Sequence, residues 1–320
     1  MPLITAPVVT PPDTGGGGST PVPLPEVGFA VASYTDPTGT VWPLTDEDAG
    51  WFTLADGVSG LGATPYELTS DAHPRGGARL RYAYAQARAI VWPLYVYGDT
   101  HDQFIGRWRA LATAFTRTLR EGPGWLEIAR PNGTRRHIAV HYREGFEGRG
   151  TKGSGIVSDA AAITLWCEDP YWVDPVEVAV HREAGSLSSF FTPYPTVSSS
   201  QVLGETTVEN PGDVVVWPQW TVTGPASLIT FTHEGTGESF SLDPNEVGHG
   251  NLLAGERVTI STDPPTVRYQ DGSNWVGALD WPSAVLWGLA PGDNPVTFQL
   301  DGSGPGSAVD LAFNPRYETA

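Results

Sequence analysis

Seven histidines, one cysteine and thirty-six carboxylates are the side chains of this 320-residue chain that could carry chemistry. His137 and His141 are the one close histidine pair. Four residues apart on a strand they share a face, but a metal site needs a third ligand and the sequence supplies none nearby. His233-Glu234 opens like a zinc-protease helix, yet Gly235-Thr236-Gly237 follows without a second histidine, which predicts a turn. Gly150-Thr151-Lys152-Gly153-Ser154-Gly155 has its lysine ahead of the glycine turn instead of closing a phosphate loop, so a mobile loop is expected. Asp46-Glu47-Asp48 lacks calcium-loop spacing, and no Gly-x-Ser-x-Gly elbow occurs. A glycosidase pair would need two carboxylates held about 5–9.5 Å apart across a cleft, and no spacing here specifies one. Cys167 has no base near it in sequence and is expected to pack as a small hydrophobe. The expectation is a chain that is not an enzyme, with no catalytic residue, no cofactor and no metal. One binding chemistry stays open. Trp217, Trp220, Trp275, Trp281 and Trp287 crowd the last third of the chain, where they are either core residues or stacking platforms for sugar.

The composition sets the frame for those side chains. Hydrophobic residues make up 40% and aromatics 11%, too many core-formers for a disordered chain. Thirty-eight glycines, twenty-nine prolines and twelve tryptophans suggest many short strands joined by tight turns and exclude a helical bundle. A net charge of −18 disfavours sequence-specific nucleic-acid binding and anionic surfaces. One cysteine excludes an intrachain disulfide framework. No apolar run approaches the roughly 18 residues of a membrane span, and the first residues lack the basic and apolar regions of a secretory signal.

The elements follow from local patterns. Tyr34-Thr35-Asp36-Pro37-Thr38-Gly39-Thr40-Val41-Trp42 reads as a hairpin turned by Asp-Pro-x-Gly. Residues 89–97 form an apolar strand whose Pro93 asks for an edge or bulge position. Thr100-His101-Asp102-Gln103 is a capping box. Behind it Phe104, Ile105, Trp108, Leu111, Ala112, Phe115 and Leu119 make one helical stripe, ended by Gly122-Pro123-Gly124. A second hairpin runs from Trp125–Ala129 through Pro131-Asn132-Gly133 to Arg136–Tyr142, and a strand covers Ala162–Cys167. After residue 200, strands are expected at 214–217, 220–222, 228–231, 239–242, 256–260, 267–269, 284–287 and 296–299, a sandwich pattern.

Four regions result: a Pro/Gly-rich arm at 1–27, a β-rich domain with one helix at 28–185, a Ser/Pro-rich linker at 186–200, and a β-sandwich at 201–320. Charge is segregated across them. Residues 75–152 hold 14 of the 18 Lys and Arg and only 6 acids. Such a basic middle suits packing between copies or an acidic partner; the bland alternative is solvated arginines on the helix and hairpin.

The order of short motifs resembles the distal tail proteins, also called minor tail proteins, of phages with long non-contractile tails, especially those of actinobacterial hosts. The residues that carry it are Asp36-Pro37-x-Gly39, Trp42-Pro43-Leu44, Pro74-Arg75-Gly76-Gly77, Gly122-Pro123-Gly124, Tyr142-x-x-Gly145-x-Glu147-Gly148 and Asp169-Pro170-Tyr171-Trp172. In the second half they are Asn210-Pro211-Gly212-Asp213, Trp217-Pro218, Leu289-x-Pro291-Gly292-x-Asn294 and Pro315-Arg316-Tyr317. The resemblance implies a structural virion protein of the tail tip, assembled in the host cytoplasm. Its N-terminal belt domain would form a homohexameric ring continuing the tail tube. Its outer sandwich, similar to galectins or carbohydrate-binding modules, would hold baseplate and hub proteins. The tail tube protein, the tape-measure protein and cell-wall glycan are the further partners it implies; membrane insertion is not among its implications. A carbohydrate-binding module for host adsorption is the alternative function.

The arm before residue 28 exceeds what the family requires. Gly15–Gly18 is a flexible hinge between stiffer Pro-rich pieces, and ten extended residues span about 33 Å. Either the arm is a floppy tail, or Leu3, Ile4, Val8 and Val9 add to a sheet edge of another chain. On the second reading, deleting residues 1–20 leaves the fold intact, measured by circular dichroism, and weakens assembly, measured by the fraction of chain recovered in sedimenting particles.

Overall fold

The computed structural model describes residues 30–54, 56–148, 156–184 and 201–320, with the side chains of 201–203 left aside. The arm, the linker and the loop at 150–155 lie outside them. The first half contributes β1 (Val31–Thr35), β2 (Val41–Pro43), β3 (Trp51–Thr53), β4 (Tyr66–Ala72), β5 (Ala78–Ala85), β6 (Arg88–Tyr97), α1 (His101–Thr116), β7 (Gly124–Ala129), β8 (Arg135–Glu144), β9 (Ser158–Cys167), β10 (Trp172–Val173) and β11 (Val178–Glu183). The second half contributes β12 (Gln201–Asn210), β13 (Gln219–Thr223), β14 (Leu228–His233), β15 (Glu238–Leu242), β16 (Arg257–Thr262), β17 (Pro265–Tyr269), β18 (Gly292–Asp301), β19 (Ala308–Phe313) and β20 (Arg316–Tyr317).

The first sheet runs β2-β1-β7-β8-β9-β6-β3, with β10 and β20 attached beside β8. Alternation along β9 buries Ala161, Ile163, Leu165 and Cys167 and turns Trp166 outward. The helix lies on the buried face because its Phe104, Leu111, Ala114 and Phe115 share one stripe. Thr100 caps it by accepting from the Gln103 amide, while Gln103 reaches back to the Asp99 amide. Leu119 departs from the expected stripe. The chain tightens to a 3-10 turn at Arg117–Leu119 and leaves it 60% exposed. Tyr34 stacks on Phe115 with ring centroids 4.1 Å apart, and its hydroxyl donates to the Ala114 carbonyl at 3.1 Å. Gly124 must be glycine here, because a Cβ would sit 2.6 Å from the Tyr34 hydroxyl.

Pro93 pairs with Ala162 on β9 through the side of β6 that needs no amide from it. Its nitrogen faces the other neighbour, between Thr53, where β3 ends opposite Leu94, and Ser59, which pairs with Val91. The missing donor therefore falls in a gap of the ladder, the local equivalent of an edge. Cys167 is buried in this core, and burial pushes its thiol up to about 12.

The second unit is a sandwich of a five-stranded sheet, β11-β19-β13-β16-β17, on a four-stranded sheet, β12-β18-β14-β15. Trp220 lies at its centre, stacked on Phe231 at 4.3 Å and meeting Trp287 and Phe298 edge-on at 5.1 and 5.3 Å. The strands expected at 214–217 and 284–287 are extended coil, joined to the rest by single bridges or isolated amides such as Val216 to Leu289. Two buried asparagines hold these coils in place. Asn210 donates to the carbonyls of Val214 and Leu289, and Asn294 donates to Val208, Ala290 and Gly292.

Two segments cross the division drawn at 185 and 201. β11 precedes the linker yet joins the second unit through β19. β20 follows the last sandwich strand yet pairs with β10 of the first sheet.

The first hairpin turn has the most concentrated polar knot of the first unit. Asp36, buried, accepts from the Thr38 amide and hydroxyl, the Thr40 amide, the Trp42 indole at 3.2 Å and Arg117 at 3.3 Å. Burial pushes its carboxyl up; the hydrogen bonds from Thr38, Trp42 and Thr40 outweigh burial and hold it below the ordinary 3.8. A depressed folded pKa gives stability that is present above pH 3.8 and is lost as pH falls through the folded value. Asp36→Ala is expected to cost about 2–3 kcal/mol at neutral pH and to flatten the acid side of the stability curve, read by urea unfolding across pH.

Candidate assembly interface

β4 and β5 form a two-stranded hairpin that pairs with nothing else. The turn between them runs through His73-Pro74-Arg75-Gly76-Gly77 and is closed by the His73 amide on the Gly77 carbonyl. Except for Ala85, every residue of both strands is exposed. Tyr82 and Tyr84 line one face, while Tyr66, Leu68 and, across the register shift at Thr69/Ser70, Leu80 line the other. Arg81 pairs with Asp71 across the strands. The sequence reading places no strand between residues 43 and 89, although Leu80-x-Tyr82-x-Tyr84 around a Pro-Arg-Gly-Gly turn is a period-2 signal. An isolated two-stranded ribbon is marginal in water, and both of its edges are unpaired.

The root of this hairpin, by contrast, is fixed. Arg88, only 2% exposed, reaches from the start of β6 to the carbonyls of Gly60 and Gly62 at 2.8 and 2.5 Å, the Thr64 hydroxyl at 2.9 Å and the Glu318 carbonyl at 2.7 Å. Burial lowers the guanidinium pKa, with Cys167 and Glu318 acting against it. Gly60 sits at φ +87°, and a Cβ there would lie 2.3 Å from the Ala89 carbonyl oxygen, so the loop can approach β6 only as glycine. The Glu318 carboxylate accepts from the Thr64 amide at 3.0 Å and the Tyr66 hydroxyl at 2.6 Å. Burial raises its pKa and those two donors, with Arg88, bring it below the ordinary carboxylate range.

Glu318 belongs to a strap, residues 314–320, which runs from the sandwich back to the first sheet. The Arg316 side chain pairs with Asp169 at 2.5 Å and lies 4.7 Å over the Tyr171 ring. Arg136 lies 3.6 Å over Tyr317 and donates to the Thr319 carbonyl, and Arg130 donates to the Ala320 carbonyl through two nitrogens. The Glu318 amide donates to Asp213 of the sandwich at 3.1 Å. Much of the basic segment is therefore used inside the chain: Arg88, Arg107, Arg117, Arg130 and Arg136 all have intramolecular partners. Arg75 and Arg79 on the hairpin, Arg109 and Arg120 on the helical segment and Arg143 at the end of β8 remain at the surface.

The outward face of the first sheet offers a second apolar surface. Trp125 and Trp166 are partly exposed there, and an open cleft of about 320 Å³ is lined by Tyr142, Arg143 and Trp166. The histidine pair lies on this face. His137 packs on Trp125 at 4.6 Å, and His141 engages the Thr118 carbonyl at 3.0 Å. Burial lowers the His137 pKa. Among the described residues no group of three or more His, Cys, Asp or Glu is arranged to hold a metal ion, and no helix is long and apolar enough to cross a membrane.

Of the five candidate stacking tryptophans, three are in the sandwich core. Trp220, Trp275 and Trp287 are buried and have no face to offer. Trp217 and Trp281 are 42% and 52% exposed.

No family model matches this sequence, and no curated protein sequence matches it. The fold does have solved counterparts. The Dit protein of phage SPP1, described as a paradigm of the hub adsorption apparatus in phages infecting Gram-positive bacteria, aligns with a TM-score of 0.60 at 16% identity, covering 90% of this chain and 98% of that one. A chain of the phage p2 baseplate in its activated conformation aligns with a TM-score of 0.50 at 12% identity, covering 89% and 98%. The mainly β fold with two β-rich units and one α-helix is thus the fold of those phage proteins.

Arg88→Met keeps the stem volume and leaves three carbonyls without their donor. It is expected to cost about 3 kcal/mol and to speed amide exchange at residues 60–66 and 86–88, with the sandwich strands unchanged. Hydrogen exchange read by mass spectrometry checks this.

Proposed function

We propose that this chain is a structural subunit of a phage tail tip, a ring protein that joins the tail tube to the hub and baseplate proteins and performs no catalysis. The observation that carries this reading is the likeness to the SPP1 Dit hub protein, which covers 90% of this chain and 98% of that one. Sequence resemblance to distal tail proteins points the same way and supplies the expected copy number of six.

The physical means lie in the first unit. A ring needs a heterologous contact, in which one patch meets a different patch on the next copy. The hairpin is a patch that its own subunit leaves uncovered, and the Trp125/Trp166 face is an apolar surface on a different sheet of the same unit. On this reading the hairpin of one copy covers the neighbour's surface, which supplies the third layer that a lone ribbon lacks. The root clamped by Arg88 and Glu318 sets its direction. The acidic sandwich then lies outward, where hub and baseplate proteins attach, and the tube and tape-measure proteins meet the ring along its axis. The site of action is the virion tail tip.

Leu80→Ser, Tyr82→Ser and Tyr84→Ser together remove the large apolar side chains of β5 from both faces of the hairpin without touching either core. The native chain is expected to form a closed oligomer in native mass spectrometry at micromolar concentration, and the triple variant a folded monomer. A native chain that stays monomeric at those concentrations, with no ring in assembled particles, overturns the reading.

A further inference from the structure

The β4–β5 ribbon has two unpaired edges, and they are not alike. At Thr69/Ser70 the register skips Arg81, which makes Arg81 the extra residue of a bulge in β5. A bulge bends its strand and spoils the outer edge for pairing. β5 also carries Arg79 and Arg81, charges of the kind that blunt an edge. β4 keeps seven exposed residues, Tyr66–Ala72, with no bulge among them. Among the described residues nothing pairs with its outer side. A third strand there turns a marginal ribbon into a sheet that can stand alone.

The segment that fits this edge precedes β1. Residues 1–12 have no charged side chain. Leu3–Val9 has the seven-residue length of β4, and Ile4, Thr5, Val8 and Val9 are β-branched strand formers. The prolines fix how it can pair. In an antiparallel ladder, alternate residues direct both backbone groups to the neighbouring strand. Pro7 has no N–H and must face away. Leu3, Thr5 and Val9 then face away with it, and Ile4, Ala6 and Val8 are the residues that bond to β4. Pro2 and Pro12 fall on the bonding side without a donor, and so bound the ladder at both ends.

Where the arm leaves the fold decides which hairpin it meets. Val31 pairs with Ala129 at the end of β7. The next residue on that strand's exit, Arg130, donates to the Ala320 carbonyl, and the Ala320 amide donates to the Leu61 carbonyl at 3.0 Å, just ahead of the hairpin root. The arm therefore exits beside the root of its own hairpin. A strand antiparallel to β4 runs from hairpin tip to root and ends where that exit lies. Residues 10–29 make the connection. They span up to ~66 Å when extended, and the Gly15–Gly18 run lets them turn. A tether of this kind holds the strand at roughly millimolar effective concentration, which a second copy in micromolar solution does not match.

We propose that residues 3–9 add to the outer edge of β4 in the same chain, antiparallel to it, and make a three-stranded sheet. Both faces of that sheet stay free, so the inference does not rest on the ring. The test compares the full chain with one lacking residues 1–20, by hydrogen exchange read by mass spectrometry at micromolar concentration. Amides of residues 66–72 are expected to exchange about tenfold more slowly in the full chain, with both cores unchanged. Val8→Pro should abolish that protection. Val9→Pro removes the same side chain at a position facing away and should keep it. An isotope-labelled truncated chain mixed with the full chain should gain no protection at 66–72. Equal exchange in the full and truncated chains overturns the proposal. So does protection that Val8→Pro and Val9→Pro affect alike. Protection gained by the labelled chain overturns it too, and assigns the arm to a second copy.

Discussion

A guanidinium buried without a carboxylate of its own is costly unless its donors are met, and at Arg88 the two terminal nitrogens meet three carbonyls and a hydroxyl from two separate stretches of chain, while Nε is left without a partner. Gly60, Gly62 and Thr64 come from the loop before the hairpin, and Glu318 comes from the strap more than two hundred residues later. Satisfying one cation therefore obliges the hairpin root, the head of β6 and the strap to meet at a point. The strap can reach that point only after the sandwich has closed, because it leaves directly from β19. The placement of the hairpin thus depends on the fold of the far unit, and the Asp213 carboxylate completes the link by taking the Glu318 amide.

The two cores need no such long-range arrangement. Each is built on one aromatic stack, Tyr34 on Phe115 in the first and Trp220 on Phe231 in the second, surrounded by strands whose alternate residues point inward. These stacks bury large apolar areas and fix ring geometry besides. Rigid cores of this kind let other surfaces stay unsupported within the chain. The hairpin is the extreme case, since its strands carry the ladder hydrogen bonds of a sheet with no layer packed on either face.

Local signals were legible where the chemistry is local. Asp36 with Gly39, the Thr100 cap and the Asn132-Gly133 turn each determine a structure from neighbouring residues, and all three stand where the residues predict. Six of the sandwich strands, β13 to β18, were legible for the same reason, whereas β11, β12 and β19 fall where the sequence analysis expects no strand. Residues 214–217 and 284–287 misled because their apolar content serves the core through coil, held by Asn210 and by isolated bridges that sequence does not announce. The hairpin was missed because exposed strands lack the apolar-in, polar-out contrast on which strand reading rests: Leu80, Tyr82 and Tyr84 alternate with Arg79, Arg81 and Ala83, and neither set is buried. The strap was invisible for a different reason, its seven residues being too few to show any period. Among the tryptophans, composition could not separate Trp281 from Trp287, six residues on, because the difference is made by tertiary burial.

Charge segregation takes on a different meaning once the arginines are placed. A basic run in an acidic chain reads first as an outward surface, yet Arg88, Arg130 and Arg136 spend their donors on backbone oxygens of the loop and the strap. Arginine suits this use because its planar fork can serve several carbonyls at once and stays protonated. Three of the basic residues of the first unit thus serve to receive the strap. What is left for partners is a smaller set, Arg75 and Arg79 toward the hairpin tip with Arg109, Arg120 and Arg143 elsewhere. On the ring reading, a positively tipped, aromatic hairpin anchored at its root would recognise its neighbour by shape and stacking first, with charge adding orientation as it approaches an acidic surface.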